Sequence, residues 1–311
     1  MPPAPIPVLL ERCPSYEGAA DLACRLLDEA GLAGSAGLHG KTVLVKPNLL
    51  RAIPLACTSP VVVAAACAWL KDQGARVLVA DSPGFGSTAG VAATIGLTDA
   101  LRPLGLSVVP FTAGEAVALP MGSRVTLARE AMECDRVLSA ARFKCHSQML
   151  LTLSCKNCYG CVPGLRKAVR HTIEGQDPIR FADMQAAIVR ALPPVAGLVD
   201  GVTAMHVTGP ANGKPFPLGL LAVSASPVAL DEALVAVLGL SPSQVPLPAA
   251  FERAHDPDCR ASGAAHAFPR RRPGDFDATG FTLPAHLLHT SFRPGRLLRS
   301  CARRLWLGLF R

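Results

Sequence analysis

The stretch Lys41-Thr42-Val43-Leu44-Val45-Lys46-Pro47-Asn48 is a compact β-type run that stops at a Lys-Pro-Asn tripeptide. Downstream of it, Pro60 to Gln73 predicts a helix, with Pro at its start and Gly74 just past its end, the usual asymmetry of helix termini. Ala75 to Ala80 predicts a second strand, followed by the polar turn Asp81-Ser82-Pro83-Gly84-Phe85-Gly86-Ser87-Thr88. Gly90 to Leu104 then predicts a helix and Leu106 to Phe111 a third strand. A β-α-β-α-β order implies parallel strands joined by right-handed crossovers. Upstream, Pro7 to Glu11 predicts a short strand and Tyr16 to Ala30 a helix ended by Gly31. Further on, Arg136 to Ala141, Val195 to Val199 and Leu218 to Ser224 predict strands, and Phe181 to Leu192 and Pro227 to Leu238 predict helices. The expected fold is therefore α/β: an open, mainly parallel sheet with helices on both faces. The pattern divides it into two α/β lobes, residues 1–130 and 131–285, and a basic tail, 286–311.

Half of the 311 residues are apolar, which excludes the intrinsically disordered class. The N-terminus has no basic region followed by an apolar run, and no uncharged apolar stretch approaches the ~20 residues that span a bilayer. The expected location is cytoplasmic, so the eleven cysteines are expected to be thiols rather than a disulfide framework. The net charge of +8 is uneven. No acidic residue follows Asp277, whereas Arg293, Arg296, Arg299, Arg303, Arg304 and Arg311 do. No nucleic-acid motif accompanies the charge, so nucleic acid is not an expected partner. Within the tail, Leu297, Leu298, Cys301, Ala302, Leu305 and Leu309 recur at helical spacing opposite the arginines. Such a helix either packs on its own domain or makes peripheral contact with an anionic membrane or a partner.

The densest chemical constellation is Lys144-Cys145-His146, then Cys155-Lys156-Asn157-Cys158-Tyr159-Gly160-Cys161, then Lys167 and His171. Cys155, Cys158 and Cys161 stand at C-x-x-C-x-x-C spacing, which lets several thiolates converge on one point. With Cys145 as fourth ligand, the pattern suits a 4Fe-4S iron–sulfur cluster or a tetrahedral zinc ion. The plainer reading is three small residues packed under a Gly-rich turn. The interleaved cations point to a second chemistry. Lys144, Lys156 and Lys167 would concentrate positive field on a small anionic substrate, and a buried lysine becomes a base or a nucleophile. His146 and His171 titrate near neutral pH and suit proton transfer. Lys46 and Asn48, at a strand end, and Ser87, before a helix, are expected to complete the ligand crevice, and Asp200-Gly201 opens a further strand-end loop.

The run Arg142-Phe143-Lys144-Cys145-His146, then Lys156-Asn157, Gly160-Cys161-Val162-Pro163-Gly164, Lys167 and His171, resembles the family catalogued as domain of unknown function 362. The resemblance extends to Lys46-Pro47-Asn48, Asp200-Gly201-Val202, Gly209-Pro210, Gly213 and Pro227-Val228-Ala229-Leu230-Asp231. It implies a fold distantly similar to that of nickel-dependent lactate racemase. Many members carry an appended ferredoxin-like segment; here only Cys259 and Cys301 lie beyond Cys161. Relatives usually have Thr or aliphatic residues where this chain has Cys145, Cys155 and Cys158. Three functions stay open at this point: a metal- or iron–sulfur-assisted enzyme acting on a small anion, in which a redox step is one option; a cluster or metal carrier docking on a redox partner protein; and a metal-free Lys/His acid–base enzyme.

Overall fold

The computed structural model describes residues 5–34, 37–254 and 266–288. The amphipathic stripe of the tail, with Cys259 and Cys301, lies outside the described residues. Seven strands lie along the main path of one sheet: β1 (Leu9–Arg12), β2 (Thr42–Pro47), β3 (Arg76–Asp81), β4 (Val108–Pro110), β5 (Arg136–His146), β6 (Val195–His206) and β7 (Leu220–Ser224). Their order is β1-β7-β6-β5-β2-β3-β4. The run β6-β5-β2-β3-β4 is parallel; β7 pairs antiparallel with β6, and β1 pairs antiparallel with β7. Leu150–Thr152 and Lys214–Phe216 add antiparallel pairs to β5 and β6.

Alternation along the strands explains why both faces are covered. Val43 and Val45 pack with the buried faces of α1 (Ala19–Glu29) and α2 (Pro60–Asp72). Leu44, between them, points to the opposite layer with residues of α5 (Pro178–Ala191). The residue after Val45 is Lys46, which follows Leu44's side and is delivered into that second layer at the strand end. The short helix α3 (Ser154–Cys158), α4 (Leu165–Ile173) and α6 (Pro227–Val237) complete the parts that matter for function.

The open, mainly parallel sheet and its two helical layers match the sequence expectation, whereas several boundaries differ. The helix expected over 90–104 breaks at Ile95-Gly96, where Gly96 takes φ 81°, and becomes Thr88–Thr94 and Leu97–Leu101. The strand expected to stop at Ala141 continues to His146, with its alternate residues Ala141 and Phe143 packed in one apolar cluster. A hairpin, Ala113–Ala118 with Arg124–Ala128, has no counterpart in the periodicity reading. Strands on either side of residue 130 pair directly, β2 with β5, so the expected boundary does not separate two sheets.

Candidate functional site

The C-terminal ends of β2, β3 and β5 converge on one small cavity of about 80 Å³. Lys46, Asn48, Asp81, Lys144, His146 and Lys156 line it, with Asn157, Tyr159, Gly160 and Lys167. Ligands of open α/β sheets bind at this edge. Lys46 is 1% exposed and pairs with Asp81 at 2.9 Å. Asp81 in turn accepts the backbone N–H groups of Leu49 and Ser82, both at 2.8 Å. Gly160 leaves space for this pair: a Cβ there would lie 2.4 Å from Lys46 Nζ.

Asn157 ties the cavity floor together. Its Oδ1 accepts from Lys46 Nζ at 3.1 Å and from Asn48 Nδ2 at 2.9 Å, while its Nδ2 donates to Lys46 O and Ser139 Oγ. Asn48 Oδ1 then accepts from Lys144 Nζ at 2.5 Å, and Ala56 O accepts from the same ammonium at 2.6 Å. Desolvation pushes Lys144 down to about 7, with Arg142 and Lys46 adding repulsion. Lys167 donates to Ser82 O, and Gly164 N–H donates to Ser82 Oγ, so the start of α4 is pinned to the turn after β3.

Lys156 differs from the other three. Among the described residues its ammonium donates no hydrogen bond; its contact is the face of Tyr159, 5.0 Å from the ring centroid. Burial, then repulsion by Lys144, Lys167 and Lys46, pushes it down to about 7. His146 is held below its usual range by burial and by Lys156, His171 and Lys144. Its Nδ1 accepts the N–H groups of Gln148 and Met149 at 3.1 and 3.2 Å, so the proton of the neutral ring sits on Nε2. His171 does not line the cavity. It packs edge-on against Phe181 at 5.0 Å, and burial, with Lys156 nearby, lowers it to about 4.

The helix that carries Lys156 and Asn157 has only five residues, and its start is capped from elsewhere in the chain. Asp231 on α6 accepts the N–H groups of Ser154 and Cys155 at 2.8 and 2.9 Å. Desolvation outweighs these bonds and raises the carboxyl to about 7.

Cys145, Cys155, Cys158 and Cys161 are all buried. Cys155 bonds to Asp231, Cys158 donates to Ser154 O at 3.5 Å, and Cys145 donates to Thr282 O at 3.5 Å. Cys155, Cys158 and Cys161 sit in the apolar layer with Met149, Tyr159 and Phe181. Burial raises Cys145 and Cys158 to about 12 and pushes Cys161 up as well, so these thiols hold their protons. Among the described residues, no three His, Cys, Asp or Glu side chains gather as metal ligands. α3 and the turn after it are lodged against a packed layer, and Cys155, Cys158 and Cys145 have hydrogen-bond acceptors in the protein.

Two other expected residues lie elsewhere. Ser87 is the N-cap of the helix Thr88–Thr94, its Oγ accepting from Gly90 N–H at 3.1 Å, and it does not line the cavity. Asp200 is wholly buried and pairs with Arg142 at 3.2 Å, also accepting from Tyr16 and from Ser59 N–H. Asp81, Ser82, Tyr159 and Gly160 border the cavity without having been singled out. For Asp81 the signal was its position: it ends the strand beside the Lys46 strand, in register two residues past Val79 opposite Val45.

A family model described as Domain of unknown function (DUF362) matches residues 43–236, a span that contains every lining residue named above. A thylakoid-associated protein of Synechocystis is 36% identical over 299 residues, covering 94% of this chain and 92% of that protein. The lactate racemase apoprotein of Thermoanaerobacterium thermosaccharolyticum is 14% identical with a TM-score of 0.49; the match covers 72% of this chain and 55% of that one.

Proposed function

The chain belongs to the DUF362 family, and from that premise we propose that its lysine-lined cavity is an enzyme active site that transfers protons on a small anionic substrate without a metal held by its cysteines. The observation that carries this reading is Lys156: a cation at the cavity wall with no hydrogen-bond acceptor among the described residues, beside three lysines that are anchored. In its neutral form it is the base, and the Nε2–H of neutral His146 is the matching donor. Lys46 and Lys167 supply the positive field for the carboxylate or phosphate of the substrate, in positions fixed by Asp81 and Ser82. A cavity of about 80 Å³ lies well under the ~300–1,000 Å³ of sites for larger ligands, which favours a compact anion.

The reading is tested by acylating the intact protein across pH 6 to 10 and following each lysine by mass spectrometry. Lys156 is expected to label with a midpoint near 7, and inorganic phosphate or a small carboxylate is expected to protect it. A midpoint near ~10, that of an ordinary lysine, would remove the base from the mechanism.

A second reading concerns location. The Synechocystis relative is described as thylakoid-associated, and among the described residues no helix is long and apolar enough to cross a membrane. We infer that this chain works in peripheral contact with a membrane surface.

A further inference from the structure

We propose that the outer face of α4 is a docking surface for an anionic lipid bilayer, seated directly over the cavity. This inference rests on the peripheral-membrane reading and names the surface that serves it.

Helix α4 (Leu165–Ile173) has no buried residue along its length. Leu165, Val169 and Ile173 follow one another at four-residue spacing and therefore form a single stripe. They are 43, 44 and 53% exposed, and Ile179, at the start of α5, is 58% exposed. Gly164 and Lys167 hold the turn after β3, and that turn presents Phe85, 55% exposed. Three large aliphatic side chains aligned on one exposed helix face, rather than scattered, mark a surface that meets something apolar.

Charge selects the occupant. From Gly164 to Ile173 there is no acidic residue, and Arg166 and Arg170 flank the stripe on one side, while Lys167 faces the cavity. The nearest carboxylate, Glu174, is buried and engaged by Arg170 and Arg180. Basic residues beside an apolar stripe match an anionic headgroup layer over hydrocarbon.

The position of α4 links docking to the cavity. Lys167 lines the cavity from the inner side of the helix whose outer side carries the stripe. A bilayer on α4 would bring anionic headgroups or amphiphilic anions within reach of the lysines.

The test is co-sedimentation of the full chain with vesicles of phosphatidylglycerol and phosphatidylcholine, compared with phosphatidylcholine alone. The full-length triple variant Leu165→Gln/Val169→Gln/Ile173→Gln is expected to keep its unfolding temperature and to lose binding by about tenfold or more. Binding of the intact chain is expected to weaken as salt rises. A second full-length variant, Arg299→Gln/Arg303→Gln/Arg304→Gln, is expected to lose less than the α4 variant. Intact protein that ignores anionic vesicles would overturn the membrane reading itself. Intact protein that binds, with the α4 variant binding equally well, would overturn the α4 surface and leave the membrane reading in place. A concentration-dependent dimer of the intact chain that the α4 substitutions dissolve would assign the stripe to a second copy instead.

Discussion

Within the eight residues from Ser154 to Cys161, the same physical force produces two opposite chemistries. Cys155, Cys158 and Cys161 are turned into the apolar layer, where desolvation penalises the thiolate of Cys158 and of Cys161 and leaves inert thiols there. Lys156, between them, borders the cavity, where desolvation penalises the ammonium and leaves a neutral amine near pH 7. Burial favours the uncharged form in both cases. For a thiol that form is the unreactive one; for a lysine it is the nucleophile and base. A second contrast separates the buried cations. Arg142 has Asp200 as partner and is a structural ion pair, whereas Lys144 has amide and carbonyl acceptors without a carboxylate and gives up its proton readily.

The largest expected effect lies with Lys156. Lys156→Met is expected to lower turnover by about 10²–10⁴-fold, the usual contribution of a positioned acid or base, without loss of thermal stability. The same variant sharpens the comparison without a known substrate: it should abolish the acylation that titrates near pH 7. Unchanged acylation at that midpoint in the variant would transfer the reactive role to Lys144.

The next effect lies with Asp231, whose carboxylate holds the start of the short helix. Asp231→Ala leaves the Ser154 and Cys155 N–H groups buried without acceptors, at an expected cost of about 2–4 kcal/mol in chemical denaturation. The pH dependence has a defined sign. The native carboxyl, near 7, binds its proton more tightly than the unfolded one at 3.8, so stability falls as pH rises between those values. Lys144 and Lys156 act the other way. The unfolded ammonium groups at 10.5 hold protons that the native ones, near 7, release, so stability rises from pH 7 towards 10.5. These three groups together give a minimum near pH 7. Asp231→Asn should flatten the acid branch, and Lys144→Met the alkaline branch. A Lys144→Met variant that keeps the full alkaline rise would show that Lys144 is charged in the native cavity.

The sheet was legible because strand and helix periodicities alternate cleanly from Thr42 to Pro110 and because Pro60 and Gly74 punctuate the first crossover. The cavity was legible in part for the same reason: Lys46, Asn48 and Lys144 stand at or beside ends of parallel strands, where a crevice is expected. The antiparallel hairpin at 113–128 was not, since its first strand, Ala113–Ala118, is mostly exposed and shows no apolar alternation. Nor was Asp231 legible as the cap of α3, because the contact spans 77 residues of sequence. The cysteine spacing leaves two outcomes open. Residues three apart share one face of a short helix, where their thiols either converge on a ligand or pack into an apolar layer. Spacing alone does not distinguish these outcomes.

The smallest expected effect tests that lesson from the thiol side. Cys158→Ala with Cys161→Ala removes two small buried groups from the layer around Phe181 and Met184. Each loss resembles deletion of about one methyl group, so the pair is expected to cost about 1–3 kcal/mol. The variant should retain its fold, and a chelator should leave the unfolding temperature of the intact chain unchanged. A cluster or zinc ion held by these residues would behave differently, because a structural metal contributes about 10–16 kcal/mol to folding in small domains. Removing two ligands would then unfold the region that carries Lys156, and anaerobically purified protein would lose metal and acid-labile sulfide together. Lysine labelling of the double variant separates the two cases in one measurement. Retention of the midpoint near 7 at Lys156 means that the thiols only pack beneath the cavity; its disappearance along with bound metal would make the two sides of this segment one centre.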